Sequence, residues 1–139
     1  MTRNCLDWQS PSESSEQRAL INWARLRSAT MPELGLLYSI PNGGARDVVT
    51  GKRMKDEGVK KGVPDLCLPV PRGGFHGLYI ELKRIGTGRV SKEQNWWLER
   101  LAEQGYRATV CFGFDDARRT IEKYLCSGNS GIGFSDALG

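Results

Sequence analysis

Six consecutive residues, Leu78-Tyr79-Ile80-Glu81-Leu82-Lys83, alternate between apolar and polar, and that alternation leaves the chain little choice of local structure. A period of two belongs to the β-strand, in which successive side chains point to opposite faces. Leu78, Ile80 and Leu82 therefore pack, while Tyr79, Glu81 and Lys83 share the other face. Upstream, Asp65–Val70 is a second strand-like run, and the Pro71-Arg72-Gly73-Gly74 stretch between them is rich in turn formers. Together they predict a β-hairpin of Asp65–Val70 and Gly77–Lys83. Folding it closed brings Asp65 within reach of Glu81, so two carboxylates and an ammonium converge beside a sheet.

The remaining elements follow from periodicity and caps. A helix is predicted from Ser14, with Gln17 in capping-box spacing, to about Ser28. Its apolar stripe is Leu20, Trp23, Ala24 and Arg27, widened by Leu26. Glu16 projects from that same face, either as a favourable charge at a helix N-terminus or into the acidic site. Leu34–Ile40 reads as a strand closed by the turn Pro41-Asn42-Gly43-Gly44, and Arg46–Glu57 as a short basic helix or irregular segment. Ser91 and Gln94 form a second capping box, opening a helix that ends near Gln104 with Gly105 as its stop. Trp97, Leu98 and Leu101 give it an apolar face. Arg107–Phe112 is a last strand, and Asp116–Leu125 a last helix carrying Ala117, Ile121, Tyr124 and Leu125. The order α-β-(α)-β-β-α-β-α describes an α/β domain, a mixed sheet flanked by helices, over residues 14–126. Residues 1–13 and the Gly/Ser-rich 127–139 read as tails.

Asp65, Glu81 and Lys83 suit phosphodiester hydrolysis. Two hard oxygen ligands satisfy part of the octahedron of Mg2+ and leave water and a phosphate oxygen for the rest. Such an ion polarises the phosphoryl group and lowers the pKa of bound water, and Lys83 would hold that water or the developing charge. The backbone carbonyl of Leu82 is a further candidate ligand. The bland reading is a surface Glu–Lys pair worth ~0–1 kcal/mol. Pro64-Asp65 at hairpin distance and Gln94 at the next helix start weigh against it.

Composition narrows the alternatives. A net charge of +4 over 139 residues and a pI near 9.0 permit nucleic-acid binding. The basic run within Ala45–Gly62 leads straight into the acidic site, and Lys60, Lys61, Arg84 and Arg89 flank it as candidate phosphate contacts, with solubility as their bland role. Four scattered cysteines and one histidine do not make a zinc site; Cys67 and Cys111 read as small core residues. Gly86-Thr87-Gly88 lacks the third glycine of a dinucleotide fingerprint, and Arg53 stands where a P-loop needs Ser or Thr, so no nucleotide cofactor is expected. His76 reads as a turn residue. No apolar run approaches the ~20 residues of a membrane span, and the N-terminus lacks an apolar signal core, so a cytoplasmic address is expected (the host's, if phage-encoded).

The Gly-x-Pro-Asp element at Gly62–Asp65, the strand Glu81-Leu82-Lys83 and the helix start Ser91-x-x-Gln94 resemble the PD-(D/E)xK nucleases. The Pro41-Asn42-Gly43-Gly44 turn, Arg46 and the run Gly58–Asp65 narrow the likeness to the VRR-NUC family, over about Glu16 to Leu125. The resemblance implies a restriction-endonuclease-like fold in which Asp65, Glu81 and Lys83 are catalytic, Gln94 supports them and Glu16 approaches the metal beside Asp65, Glu81 and Leu82. It further implies Mg2+, with Mn2+ able to substitute, and Asn42 and Arg46 among the DNA contacts. It implies a structure-selective DNA endonuclease acting as a homodimer on branched DNA such as four-way (Holliday) junctions. Trp8, Trp96 and Phe75 are interface candidates because aromatic side chains favour interfaces. The chain departs from the family at Ser39-Ile40, where members often carry a histidine. Two alternatives stand beside this reading: a non-catalytic DNA-binding module on the same fold, and a broadly nonspecific nuclease.

Overall fold

A computed structural model of the chain describes residues 11–41 and 48–128, so Asn42, Arg46 and Trp8 lie outside the described residues. Helix α1, Glu13–Arg27, opens on Ser12, whose side chain accepts from the Ser15 N–H at 3.1 Å. The cap thus sits two residues before the expected Ser14: the serine-rich start offers competing caps, and the earlier one adds Glu13 to the first turn. Glu16, Leu20 and Ala24 are buried, with Ile21 and Trp23 partly packed. Leu26 does not widen this stripe; it is 72 % exposed. Six residues on from Leu20, it lies about 240° around the helix. Arg27 is exposed as well.

The strand expected over Leu34–Ile40 is mostly a 3-10 helix, Pro32–Leu36, followed by a two-residue strand β1, Tyr38–Ser39. Pro32, with its fixed φ, starts the tight turn, and Leu34 buries itself from it. Helix α2, Val48–Asp56, resolves the basic segment as helical. The hairpin is present: β2, Leu66–Leu68, runs antiparallel to β3, Leu78–Lys83, with Leu66 opposite Ile80 and Leu68 opposite Leu78. Helix α3, Lys92–Glu103, carries the full Ser91/Gln94 capping box and crosses over to β4, Arg107–Phe112, which pairs parallel to β3. Helix α4, Gly113–Cys126, begins three residues before the expected Asp116, whose carboxylate instead accepts from the Phe112 N–H at 2.8 Å.

The sheet order is β1-β2-β3-β4. On one face Leu66, Leu68, Leu78, Ile80 and Leu82 meet α1 and α4 in a core that includes Leu20, Ala117 and Ile121. Each such fully buried leucine or isoleucine stabilises the fold by about 1.5–3 kcal/mol relative to exposure. The other face carries Tyr79, Glu81 and Lys83 and is covered by α3, none of whose residues is fully buried. Among the described residues no helix is long and apolar enough to cross a membrane.

Candidate active site

The strand register places Asp65, one step before β2, opposite Glu81. Asp65 Oδ2 accepts from the backbone N–H of Leu82 at 2.8 Å, which clamps the hairpin end and holds the carboxylate beside the strand. Glu81 is 2 % exposed and Lys83 8 %, with Lys83 Nζ 3.5 Å from Glu81 Oε1. The same Oε1 accepts from Gln94 Nε2 at 2.9 Å. The capping box orients that amide: with its oxygen taking the Ser91 N–H at 2.8 Å, the NH2 is left to face Glu81. Glu81 Oε2 is buried and finds no hydrogen-bond donor among the described residues. Burial, with the Asp65 carboxylate beside it, pushes Glu81 up to about 8, against the smaller opposing pull of Lys83.

Gly62 makes the approach to Asp65. It sits at φ +93°, and a Cβ there would come within 2.7 Å of the Glu93 backbone in the first turn of α3. Trp97 Nε1 donates to the Lys61 carbonyl at 3.2 Å, tying the Lys60–Lys61 loop to the helix that carries Gln94. Around this floor lies a cleft of about 1600 Å3 whose walls are α1 on one side and α2 with the Val59–Gly62 loop on the other. Leu82 lines it while its side chain sits in the core, so it is the backbone of Leu82 that faces the cleft.

This donor set fits a divalent cation. Two carboxylates stand together, one offering a buried oxygen that no donor among the described residues satisfies, and a hard cation would answer both that oxygen and the mutual repulsion of Asp65 and Glu81. No group of three or more His, Cys, Asp or Glu that could hold a metal occurs among the described residues. Mg2+ asks for no more, since one or two carboxylates, water and substrate phosphate commonly complete its shell.

The family profile for the VRR-NUC domain matches residues 4–115. The chain belongs to the VRR-NUC family. A solved structure titled "VRR_NUC domain protein" is 31 % identical, with a TM-score of 0.73 over 86 % of this chain and 93 % of that one. No curated protein matches. The mixed four-stranded sheet flanked by helices is therefore a nuclease-type fold.

Within this VRR-NUC domain the structure brings Asp65, Glu81, Lys83 and Gln94 together and leaves Glu16 out. The Glu16 side chain is buried against the start of α4, where Oε2 accepts from the Phe114 N–H. Gly113 opens that helix at φ +84°, and a Cβ there would meet Ile85 Cδ1 at 2.6 Å. A carboxylate is favourable at a helix N-terminus. Of the two readings open for Glu16 the structure shows a helix N-terminus, that of α4 and not its own. Lys60 and Lys61 line the cleft, whereas Arg84 and Arg89, in the segment after β3, do not. His76 packs edge-on against Tyr106 with ring centroids 5.8 Å apart, remote from the cleft lining.

Sequence reasoning missed Trp97 as a hydrogen-bond donor, having placed it on an apolar face. It also missed Arg18, Asn22 and Arg25, which line the cleft from α1. A signal for these existed in their spacing of four and three, the helical repeat.

Proposed function

We propose that this VRR-NUC domain is a divalent-metal-dependent endonuclease that hydrolyses phosphodiester bonds in DNA. The observation that carries the reading is the buried Glu81 Oε2, without a donor among the described residues, beside Asp65 at the floor of a cleft whose rims are basic. Asp65 and Glu81 would hold the cation, with the Leu82 carbonyl as a further candidate oxygen. When bound, Mg2+ (or Mn2+ in its place) supplies a more acidic water and stabilisation of charge on the phosphoryl group. Lys83 contributes a fixed positive charge where the attacked phosphate becomes more negative, worth most in a water-poor site. Gln94 keeps the Glu81 carboxylate in one orientation, so its other oxygen stays turned to the cation. Lys60 and Lys61 attract the phosphate backbone.

Within DNA, branched molecules, four-way junctions among them, are the substrate class we assign, and a homodimer the acting species. The family likeness supports both, and the exposed rings of Trp96 and Phe75, the side-chain type that interfaces favour, support the dimer. The test is cleavage of a four-way junction, a linear duplex and a single strand at one salt concentration, with Mg2+ and with chelator, beside a measurement of mass in solution. Cutting that needs the metal and disappears in Asp65→Asn is the expected result. Metal-independent cutting, or retained activity in Asp65→Asn, would remove the acidic pair from the chemistry.

A further inference from the structure

Helix α1 presents a second face that neither the core nor the acidic floor uses. Ser14, Arg18, Asn22 and Arg25 all line the cleft, spaced by four, four and three, which is one continuous helical stripe. Arg18 and Arg25 are exposed on that wall, and across the floor stand Lys55, Lys60 and Lys61. Arg18 is braced by a 3.1 Å hydrogen bond from Nη2 to Ser14 Oγ. Glu13, also in the lining, marks the acidic end of the stripe. The trough continues past the cleft: Ile21 and Arg25 also line a second hollow of about 590 Å3, bounded by Ser28, Leu34, Leu37 and Tyr38.

Spacing and charge suit one kind of occupant. Arg18 and Arg25 are two helical turns apart, about 10.5 Å at 1.5 Å per residue. Successive phosphates of a duplex strand rise by about 3.4 Å and also turn about the axis, so they lie farther apart through space than the rise, and the two guanidinium groups can take phosphates one or two steps apart. A planar guanidinium with its fork of donors is the side chain best matched to phosphate oxygens.

We propose that the cleft-facing stripe of α1, Arg18 with Asn22 and Arg25, is a phosphate-binding track that holds one DNA strand along the helix, opposite the strand held by Lys60 and Lys61. It rests on the DNA reading given above. The acidic floor then lies between two basic walls, so a strand gripped on either side carries its backbone past Asp65 and Glu81.

The test is the salt dependence of binding to a fluorescein-labelled linear duplex, read by anisotropy in chelator so that nothing is cut. Each lost phosphate contact lowers the slope of log K against log salt by about 0.9. Arg18→Gln/Arg25→Gln is expected to flatten the wild-type slope by about 1.8. Arg119→Gln/Lys123→Gln, the same charge change on α4 away from the cleft lining, is expected to leave it nearly unchanged. Circular dichroism would check that both double variants are folded. An unaltered slope in the α1 variant, or an equal fall in the α4 control, overturns the track while the nuclease reading stands. Wild-type protein that binds no duplex at low salt overturns both.

Discussion

On one face of β3, Leu78, Ile80 and Leu82 are at most 2 % exposed and lie under α1 and α4; on the other, Glu81 and Lys83 are almost as hidden, at 2 % and 8 %. Depth alone does not separate the two faces. The apolar face is complete, because each leucine or isoleucine finds carbon neighbours and asks for nothing else. On the polar face the Glu81 carboxylate has Lys83 and Gln94 on one oxygen and no donor among the described residues on the other, held in a site that raises its proton affinity. Burying a carboxyl without full partners is costly whether it stays charged or takes up a proton, so the fold tolerates here what it avoids across the strand. A protein optimised only for stability would not keep that arrangement.

The comparison can be broken at two adjacent residues. Lys83→Met keeps the stem and removes the charge; cleavage is expected to fall by about a hundredfold or more, with a urea midpoint close to wild type. Leu82→Ala does the reverse, costing about 2–5 kcal/mol of stability through the cavity it opens. If the two variants lost activity and stability in the same proportion, the faces would not be functionally distinct.

A smaller effect separates the faces by pH. In metal-free protein the folded Glu81 keeps its proton to about pH 8, against an ordinary value of 4.5. Between those limits the folded state binds more protons than the unfolded one, so stability falls as pH rises and levels off above about 8. The slope from this one group is at most about 1.4 kcal/mol per pH unit. Glu81→Gln should remove this contribution to the slope, and saturating Mg2+ should restore stability at its alkaline end. Denaturant melts from pH 5 to 9 measure both; a slope that is the same in Glu81→Gln would place the titration elsewhere.

The smallest expected effect sits between the floor and its basic rim. Trp97→Phe keeps a ring on α3 and deletes the N–H to the Lys61 carbonyl, a bond worth about 1 kcal/mol. Duplex affinity is expected to drop by a few fold, with the thermal midpoint lowered by only a few degrees. Unchanged affinity would show that the Lys60–Lys61 loop holds its place without α3.

Much of this site is legible in the residues themselves. The alternation over Leu78–Lys83, the hairpin that sets Asp65 opposite Glu81 and the Ser91/Gln94 box all depend on periods of two, three and four, which are properties of local backbone geometry. The same local rules misplace elements where they compete. The run Leu34–Ile40 looks like a strand until Pro32 commits its first residues to a 3-10 turn, and Leu26 looks like core until its angle from Leu20 is set against the packed face.

The sequence by itself therefore determined that Glu81 and Lys83 share one face of β3 and that Ser91 and Gln94 open α3 with a capping box. Only the tertiary structure decided that Glu16 is taken up by the Phe114 N–H, that Trp97 ties down the Lys61 loop, and that Arg18 and Arg25 form the far wall of the cleft. The reason is distance along the chain: a repeat of a few residues is set by covalent geometry. Which helix end meets which carboxylate, 98 residues away in the case of Glu16, is set by how whole elements dock.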